Sequence, residues 1–258
     1  MASASASNNA QILESPSAER NKGPIYDNVL APIIFPRLVE SASAEGRTKL
    51  RVLELAAGCG VHTTHFASSF LSKYENEGMG LEWHPSDPDA EARASIDALV
   101  QLAKLEDSAV PANGWILGVS GGTACNDGGH RDQGDAGTGQ GGTSGDAEAY
   151  AQYHDEFDLV TCINMIHIAP WEATLGLMAC AGKVLRKGGM LMCYGPYKVG
   201  GTAVESNLRF DKSLRSRDPS WGVRNLEDVT EVAKREGLEL VQTTEMPANN
   251  LSVLYRKV

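Results

Sequence analysis

Along the chain, short solid hydrophobic runs alternate with stretches whose apolar residues recur every three to four positions. Leu50-Arg-Val-Leu-Glu-Leu55 is such a run, and it stops at the glycine turn Ala56-Ala-Gly-Cys-Gly60, which predicts a strand ending in a tight loop. Behind it Val61, Phe66, Ala67, Phe70 and Leu71 keep helical spacing. The pattern then predicts a weak strand over 79–83, a helix over 89–105 and a third strand over 115–119. A fourth strand with its exit loop is expected over 157–167, and a fifth over 190–194. Between them a helix over 171–185 is stopped by Lys187-Gly-Gly189, a basic last turn followed by glycine. A helix over 226–236 and strands over 238–244 and 251–256 close the chain. Ahead of all these, Ile25, Val29, Leu30, Ile33, Ile34 and Leu38 are near helical spacing, but Pro32 and Pro36 interrupt them. Two short helices or one kinked helix follow from that. Strands alternating with helices imply a mostly parallel sheet covered on both faces, with the last strands antiparallel.

Two segments break the pattern. Residues 1–19 are rich in Ser and Ala, with neither the apolar core of a signal peptide nor the arginines of a transit peptide, and read as a disordered tail. Between Gly118 and Gly145 eleven residues are glycine and most others are polar. Such a stretch buries too little apolar surface to offset its ordering entropy. It reads as a flexible insertion, over about 120–149, in a single domain spanning 20–258. Residues 195–222 read as a long polar loop.

Charge and cysteine usage narrow the function. With 33 acidic and 23 basic residues the formal charge is −10, which disfavours nucleic acid and anionic membranes as partners. No apolar run approaches the roughly 20 residues of a membrane span. Five scattered cysteines without a C-x-x-C pair or a zinc spacing read as reduced thiols of a cytoplasmic protein, with no metal site.

The strongest chemical signal is Glu54-Leu-Ala-Ala-Gly-Cys-Gly60. Gly58 and Gly60 allow a sharp turn and close approach of a ligand to the backbone of 56–60, Ala56 included. The next helix offers unpaired N–H groups to an anion. Thr63 stands where a dinucleotide fingerprint needs its third glycine. The spacing Glu-x-x-x-Gly-x-Gly resembles the first motif of class I methyltransferases, in which the helix terminus receives the methionine carboxylate of S-adenosyl-L-methionine and the acid orients its amino end. Asp87, with Ser86 beside it, stands where an acid would take the ribose hydroxyls; its 33-residue distance from Glu54 exceeds the roughly 20 of the dinucleotide site.

Further blocks resemble the methyltransferase-like protein 26 family: Arg20-Asn-Lys-Gly-Pro-Ile25, Leu53 to His62, Pro85-Ser-Asp87, Ile163-Asn-Met-Ile-His-Ile-Ala-Pro-Trp171, Gly195-Pro-Tyr197, Phe210 to Gly222 and Met246-Pro-Ala-Asn-Asn250. That resemblance implies an α/β, Rossmann-like class I methyltransferase fold with a mostly parallel seven-stranded sheet and an antiparallel C-terminal strand. One departure is Gly118, where similar sequences carry an aspartate near the adenine; Asp127, Asp132 and Asp135 are the acids available to replace it.

The expected cofactor contacts are therefore Glu54, Ala56, Gly58, Gly60, Ser86, Asp87, Asn164 and Met165. Asn164 and His167 follow the fourth strand, between cofactor and acceptor, and are the catalytic candidates. His167 is placed to take an acceptor proton, or else is held by backbone at a strand end. Trp171, Tyr197, Arg215, Arg217, Trp221 and Asn249 are the substrate candidates. For Arg215 and Arg217 the choice lies between a two-pronged grip on a substrate carboxylate and a surface ion-pair network. Trp171 either walls the pocket or begins its helix, and Asn249 either meets ligand or shapes a turn. The function expected is methyl transfer to an O, N or S atom of a small molecule, anionic in its sharpest form. The alternative is a non-catalytic S-adenosylmethionine-binding regulatory protein.

Overall fold

A computed structural model describes residues 11–111 and 153–258. The expected third strand over 115–119, Gly118, Cys125, the three replacement aspartates and the glycine-rich insertion lie outside these residues. Helix α1 is Pro16–Ile25, a π-helical stretch is Tyr26–Ile34, and α2 is Phe35–Ala44. Then come β1 (Lys49–Leu55), α3 (Val61–Tyr74), β2 (Gly80–Ser86), α4 (Ala90–Leu102), β3 (Phe157–Ile163), α5 (Trp171–Val184) and β4 (Leu185–Gly195). After them follow β5 (Tyr197–Lys198), α6 (Glu205–Arg217), β6 (Arg224–Asn225), α7 (Leu226–Arg235), β7 (Leu238–Met246) and β8 (Asn250–Lys257).

Among the described residues six strands form the main sheet, in the order β2-β1-β3-β4-β8-β7. The first four are parallel, and β8 runs antiparallel between β4 and β7. The expected α/β Rossmann-like architecture is thus present. Parallel pairing also begins on the outer edge of β2, where Trp83 N–H donates to Ser108 O (2.8 Å) and Val110 N–H to Trp83 O (2.9 Å).

Alternation along the strands divides the core. Leu50 and Val52 of β1 pack with Phe66, Phe70, Ile96 and the N-terminal helices on one face. Leu53 and Leu55 pack with Leu177, Val184 and Val229 of α5 and α7 on the other. Both faces of the parallel strands are therefore covered, as βαβ crossovers require. The edge away from the glycine turn is clasped by Asp158, whose buried carboxylate accepts from Arg47 Nη1 and from the Arg51 amide, both at 2.8 Å.

Three differences from the sequence reading have local causes. Order begins ahead of Arg20, because Ser15 Oγ accepts the Ala18 amide and Pro16 stands at the first helical position, a favoured helix start. The N-terminal run is one continuous helical path: around Pro24, Pro32 and Pro36, which lack N–H groups, hydrogen bonds shift register, and the Phe35 amide reaches back to Leu30 O as a π-turn does. Finally, the expected loop over 195–222 contains α6. Its buried residues are Asn207, Asp211 and Leu214, so only one of the three is apolar and no hydrophobic stripe marked it.

No helix among the described residues is long and apolar enough to cross a membrane. The described cysteines, Cys59, Cys162, Cys180 and Cys193, are buried and unpaired with one another.

Candidate active site

The carboxyl ends of β1, β2, β3 and β4 lie along one edge, where α/β folds bind ligands. At the end of β1 the chain turns through three left-handed residues: Ala56 at φ 56°, Gly58 at 58° and Gly60 at 91°. The two glycines carry different constraints. A Cβ on Gly60 would sit 2.9 Å from Ile96 Cα, whereas one on Gly58 would meet nothing within 4 Å among the described residues. Gly60 is thus needed for packing against α4, and Gly58 faces open space. Gly60 begins α3 without a side-chain cap, which leaves the first-turn amides to a ligand.

The turn is stitched to β2. Ala57 N–H donates to Ser86 O (2.9 Å), Ser86 Oγ to Glu54 O (2.9 Å), and Gly58 N–H to Asp87 Oδ2 (2.9 Å). Asp87 Oδ1 also accepts the Asp89 amide at 3.0 Å. Ser86 is fully buried, so its hydroxyl holds the loop rather than reaching into the cleft.

Glu54 lies beneath. Its Oε2 accepts Thr63 Oγ1 at 2.6 Å and Trp83 Nε1 at 2.8 Å. Thr63, standing where the third glycine of a dinucleotide loop would be, thus has its own task. Burial raises the Glu54 carboxyl to about 7, opposed by those two hydrogen bonds and assisted by the Asp87 charge. Because the folded value lies above the unfolded one near 4.5, the associated stability is complete below pH 4.5 and lost as pH rises through 7. Glutamine keeps an acceptor oxygen but never ionises. Glu54→Gln is therefore expected to gain on the wild type by about 3 kcal/mol between pH 5 and pH 8. Urea unfolding at both pH values measures this; an unchanged difference would refute it.

After β3, the strand beside β1, Asn164 is in left-handed conformation (φ 60°), with its amide on Tyr194 O at 2.9 Å. Met165 is buried in the core on the α5 side of the sheet. His167 is 5% exposed. Its carbonyl accepts the Gly222 amide at 3.0 Å, and its ring rests edge-on to Phe210 at 5.7 Å. Gly195 makes room for that ring, since a Cβ there would fall 3.0 Å from His167 Nδ1. Burial, then the charges of Arg224 and Arg217, lower the imidazole to about 4, so it is neutral at pH 7.

The substrate candidates separate. Tyr197 packs in the α5–α7 side of the core, and its buried hydroxyl has no hydrogen-bond partner among the described residues. Asn249 is exposed: its side chain donates to Ser206 Oγ (3.2 Å) and its carbonyl accepts from Asn207 Nδ2 (2.8 Å). It thereby anchors the start of α6. Trp171 opens α5, with the Arg224 guanidinium 5.8 Å over its ring. Arg224 donates to Ala169 O (2.8 Å) and Ser220 O (2.7 Å), tying the β3 exit to the loop after α6. Arg215 pairs with Asp211 at 3.2 Å, and Lys198 Nζ reaches the other oxygen of that carboxylate at 2.8 Å. Arg215 therefore belongs to an ion-pair network. Arg217 is stacked over Trp221 at 5.6 Å.

Sequence reasoning missed Trp83, Phe210 and a polar belt through Asn21 and Asn250. In the belt His62 Nε2 lies 2.7 Å from Asn21 Oδ1, and Asn250 Nδ2 donates to the Tyr194 hydroxyl at 3.1 Å. Asn21, His62 and Asn250 all fall in the family-like blocks, which was the available signal.

Comparison with known proteins places this arrangement. A family model described as "Protein of unknown function (DUF938)" matches residues 13–116 and 140–257. The chain belongs to the DUF938 family. Among solved structures, the fold is similar to that of the S-adenosylmethionine-dependent methyltransferase SibL, with TM-score 0.60 and 14% identity over 93% of this chain and 55% of that one. An O-methyltransferase family protein from Burkholderia thailandensis gives TM-score 0.62 and 12% identity, over 92% of this chain and 56% of its own. An O-methyltransferase family 2 protein from Planctomyces limnophilus, in complex with apigenin, gives 0.54 and 16%, over 81% and 50%. At such identities the likeness establishes a methyltransferase-type fold. This DUF938 chain spans about half the length of these proteins.

Proposed function

We propose that this DUF938 protein binds S-adenosyl-L-methionine and transfers its methyl group to an O, N or S atom of a small molecule. The observation that carries the reading is the turn after β1: an uncapped helix start, open space above Gly58, and Glu54 and Asp87 on either side. The amides of the first turn of α3 suit the methionine carboxylate. Glu54 suits the ammonium group, whose charge would favour the ionised carboxyl. Asp87 suits the ribose hydroxyls, and its bond to Gly58 sets the turn at the same time. Asn164 closes the cofactor side from the end of β3, with Met165 packed in the core behind it.

When bound, this cofactor supplies an electrophilic methyl group on a sulfonium sulfur. The chain's own part is positioning, exclusion of water, and acceptance of the acceptor's proton on the neutral ring of His167. The small-molecule complex of the Planctomyces limnophilus protein supports a small acceptor. The unpaired buried thiols support a cytoplasmic setting, and the net charge of −10 favours a partner other than nucleic acid.

The test is incubation with methyl-labelled S-adenosylmethionine and a small-molecule extract. Label is expected in a small product and absent with Asp87→Ala. Label on protein or RNA alone, or none at all while the cofactor still binds, would overturn the small-molecule enzyme in favour of a macromolecular acceptor or a non-catalytic binder.

A further inference from the structure

Four arginines fall in or beside the segment around α6, and three of them are committed. Arg209 pairs with Glu205 at 3.3 Å, Arg215 with Asp211 at 3.2 Å, and Arg224 donates to backbone carbonyls. Arg217 differs: among the described residues it makes no ion pair or hydrogen bond. Its nearest acid in sequence, Asp218, is turned into its own bend, accepting from Ser220 N–H at 2.8 Å and Ser220 Oγ at 2.6 Å. Arg217 is nevertheless oriented, with its guanidinium 5.6 Å from the centre of the Trp221 ring. A guanidinium fixed on an aromatic face keeps its outer donor edge for a planar oxyanion.

Contacts of the neighbouring residues link this stacked pair, exposed at Arg217 and half-buried at Trp221, to His167. Trp221 adjoins Gly222, whose amide is bonded to the His167 carbonyl. One helical face of α6 carries Phe210 and, seven residues on, Arg217; Phe210 lies against the His167 ring at 5.7 Å. Neither ring nitrogen of His167 has a hydrogen-bond partner among the described residues, although the residue is 95% buried (5% exposed). Beneath α6, Asp211 holds Lys198, Arg215 and the Val223 amide, which fixes the helix without using Arg217.

We infer that Arg217, stacked on Trp221, is the anchor for a carboxylate of the acceptor, with Phe210 against the acceptor's apolar part and His167 beside its reacting atom. The acceptor class is a small planar, aromatic or unsaturated, carboxylate. This deepens the methyltransferase reading and rests on it. It has a second consequence: after burial and the Arg224 charge, the Arg217 charge also helps to hold His167 below its ordinary value. A carboxylate neutralising Arg217 raises the basicity of His167, so the correct acceptor strengthens its own base.

The experiment uses benzoate, salicylate and cinnamate with their matching carboxamides, followed by ligand-observed NMR on the full chain without cofactor. The carboxylates are expected to bind at least 10-fold more tightly than the carboxamides. Arg217→Gln should remove that preference while leaving the melting temperature and S-adenosylhomocysteine affinity unchanged. Arg215→Gln should lower the melting temperature and keep the preference. In labelled protein, saturating carboxylate should raise the pH midpoint of the His167 ring resonances. Equal binding of the acids and amides, no binding of any acid, or a preference that survives Arg217→Gln overturns the inference. Separate titration with S-adenosylhomocysteine shows whether the cofactor reading fails with it or stands alone.

Discussion

Gly60→Ala is expected to lower stability by about 2–4 kcal/mol, and Gly58→Ala by only about 1 kcal/mol. Both positions are left-handed, at φ 91° and 58°, and a non-glycine residue there costs roughly 1–2 kcal/mol. At Gly60 the added methyl also falls 2.9 Å from Ile96 Cα. That contact is with backbone, so α3 and α4 must separate, at the usual overpacking cost of about 1–3 kcal/mol. At Gly58 the added methyl meets no atom within 4 Å among the described residues, and strain alone remains. Thermal unfolding should show a drop of about 5–15 °C for Gly60→Ala, taking about 2–4 °C per kcal/mol for a chain of this size. Equal losses at the two positions would mean that the open space above Gly58 is filled by the protein itself.

His167→Ala is expected to lower kcat by about 10²-fold or more, the usual contribution of a positioned base, with little change in S-adenosylhomocysteine affinity. The ring is buried and lowered to about 4 by desolvation and by Arg224 and Arg217. Its proton-accepting form is therefore complete at neutral pH, and the acid limb of the rate profile should fall well below the 6.5 of an ordinary histidine. The linked stability has the same sense. A depressed histidine contributes fully above 6.5 and loses its contribution as pH falls through 4. Unchanged kcat in the alanine variant would leave His167 with only its structural contacts to Phe210 and Gly222.

How much of this was legible from sequence depends on what held each element. The strands facing both core layers announced themselves as apolar runs, and the Glu54-to-Gly60 motif fell at a strand end, so the sheet and the edge that carries the candidate site could be placed. Helix α6 was invisible because Asn207 and Asp211 make up most of its buried face and hydrogen bonds hold it. Once α6 is seen, Asp211 and Arg215 become an i, i+4 pair, and the different situations of Arg215 and Arg217 follow from helical geometry. The Glu54–Trp83 bond needed strand register: Glu54 pairs with Pro85, which puts Trp83 two residues back on the same face. Tyr197 was named from the Gly195-Pro-Tyr197 block alone, and its packing in the α5–α7 core depends on tertiary contacts that no local pattern announces.

The central claim is that the turn after β1 receives S-adenosylmethionine. Calorimetric titration of the wild type and Gly58→Val with S-adenosylhomocysteine tests it most directly, because valine at 58 fills the space the ligand needs. The expected result is saturable one-site binding by the wild type and at least 10-fold weaker binding by the folded variant. No binding by the folded wild type, or equal binding by the two proteins, would contradict the claim.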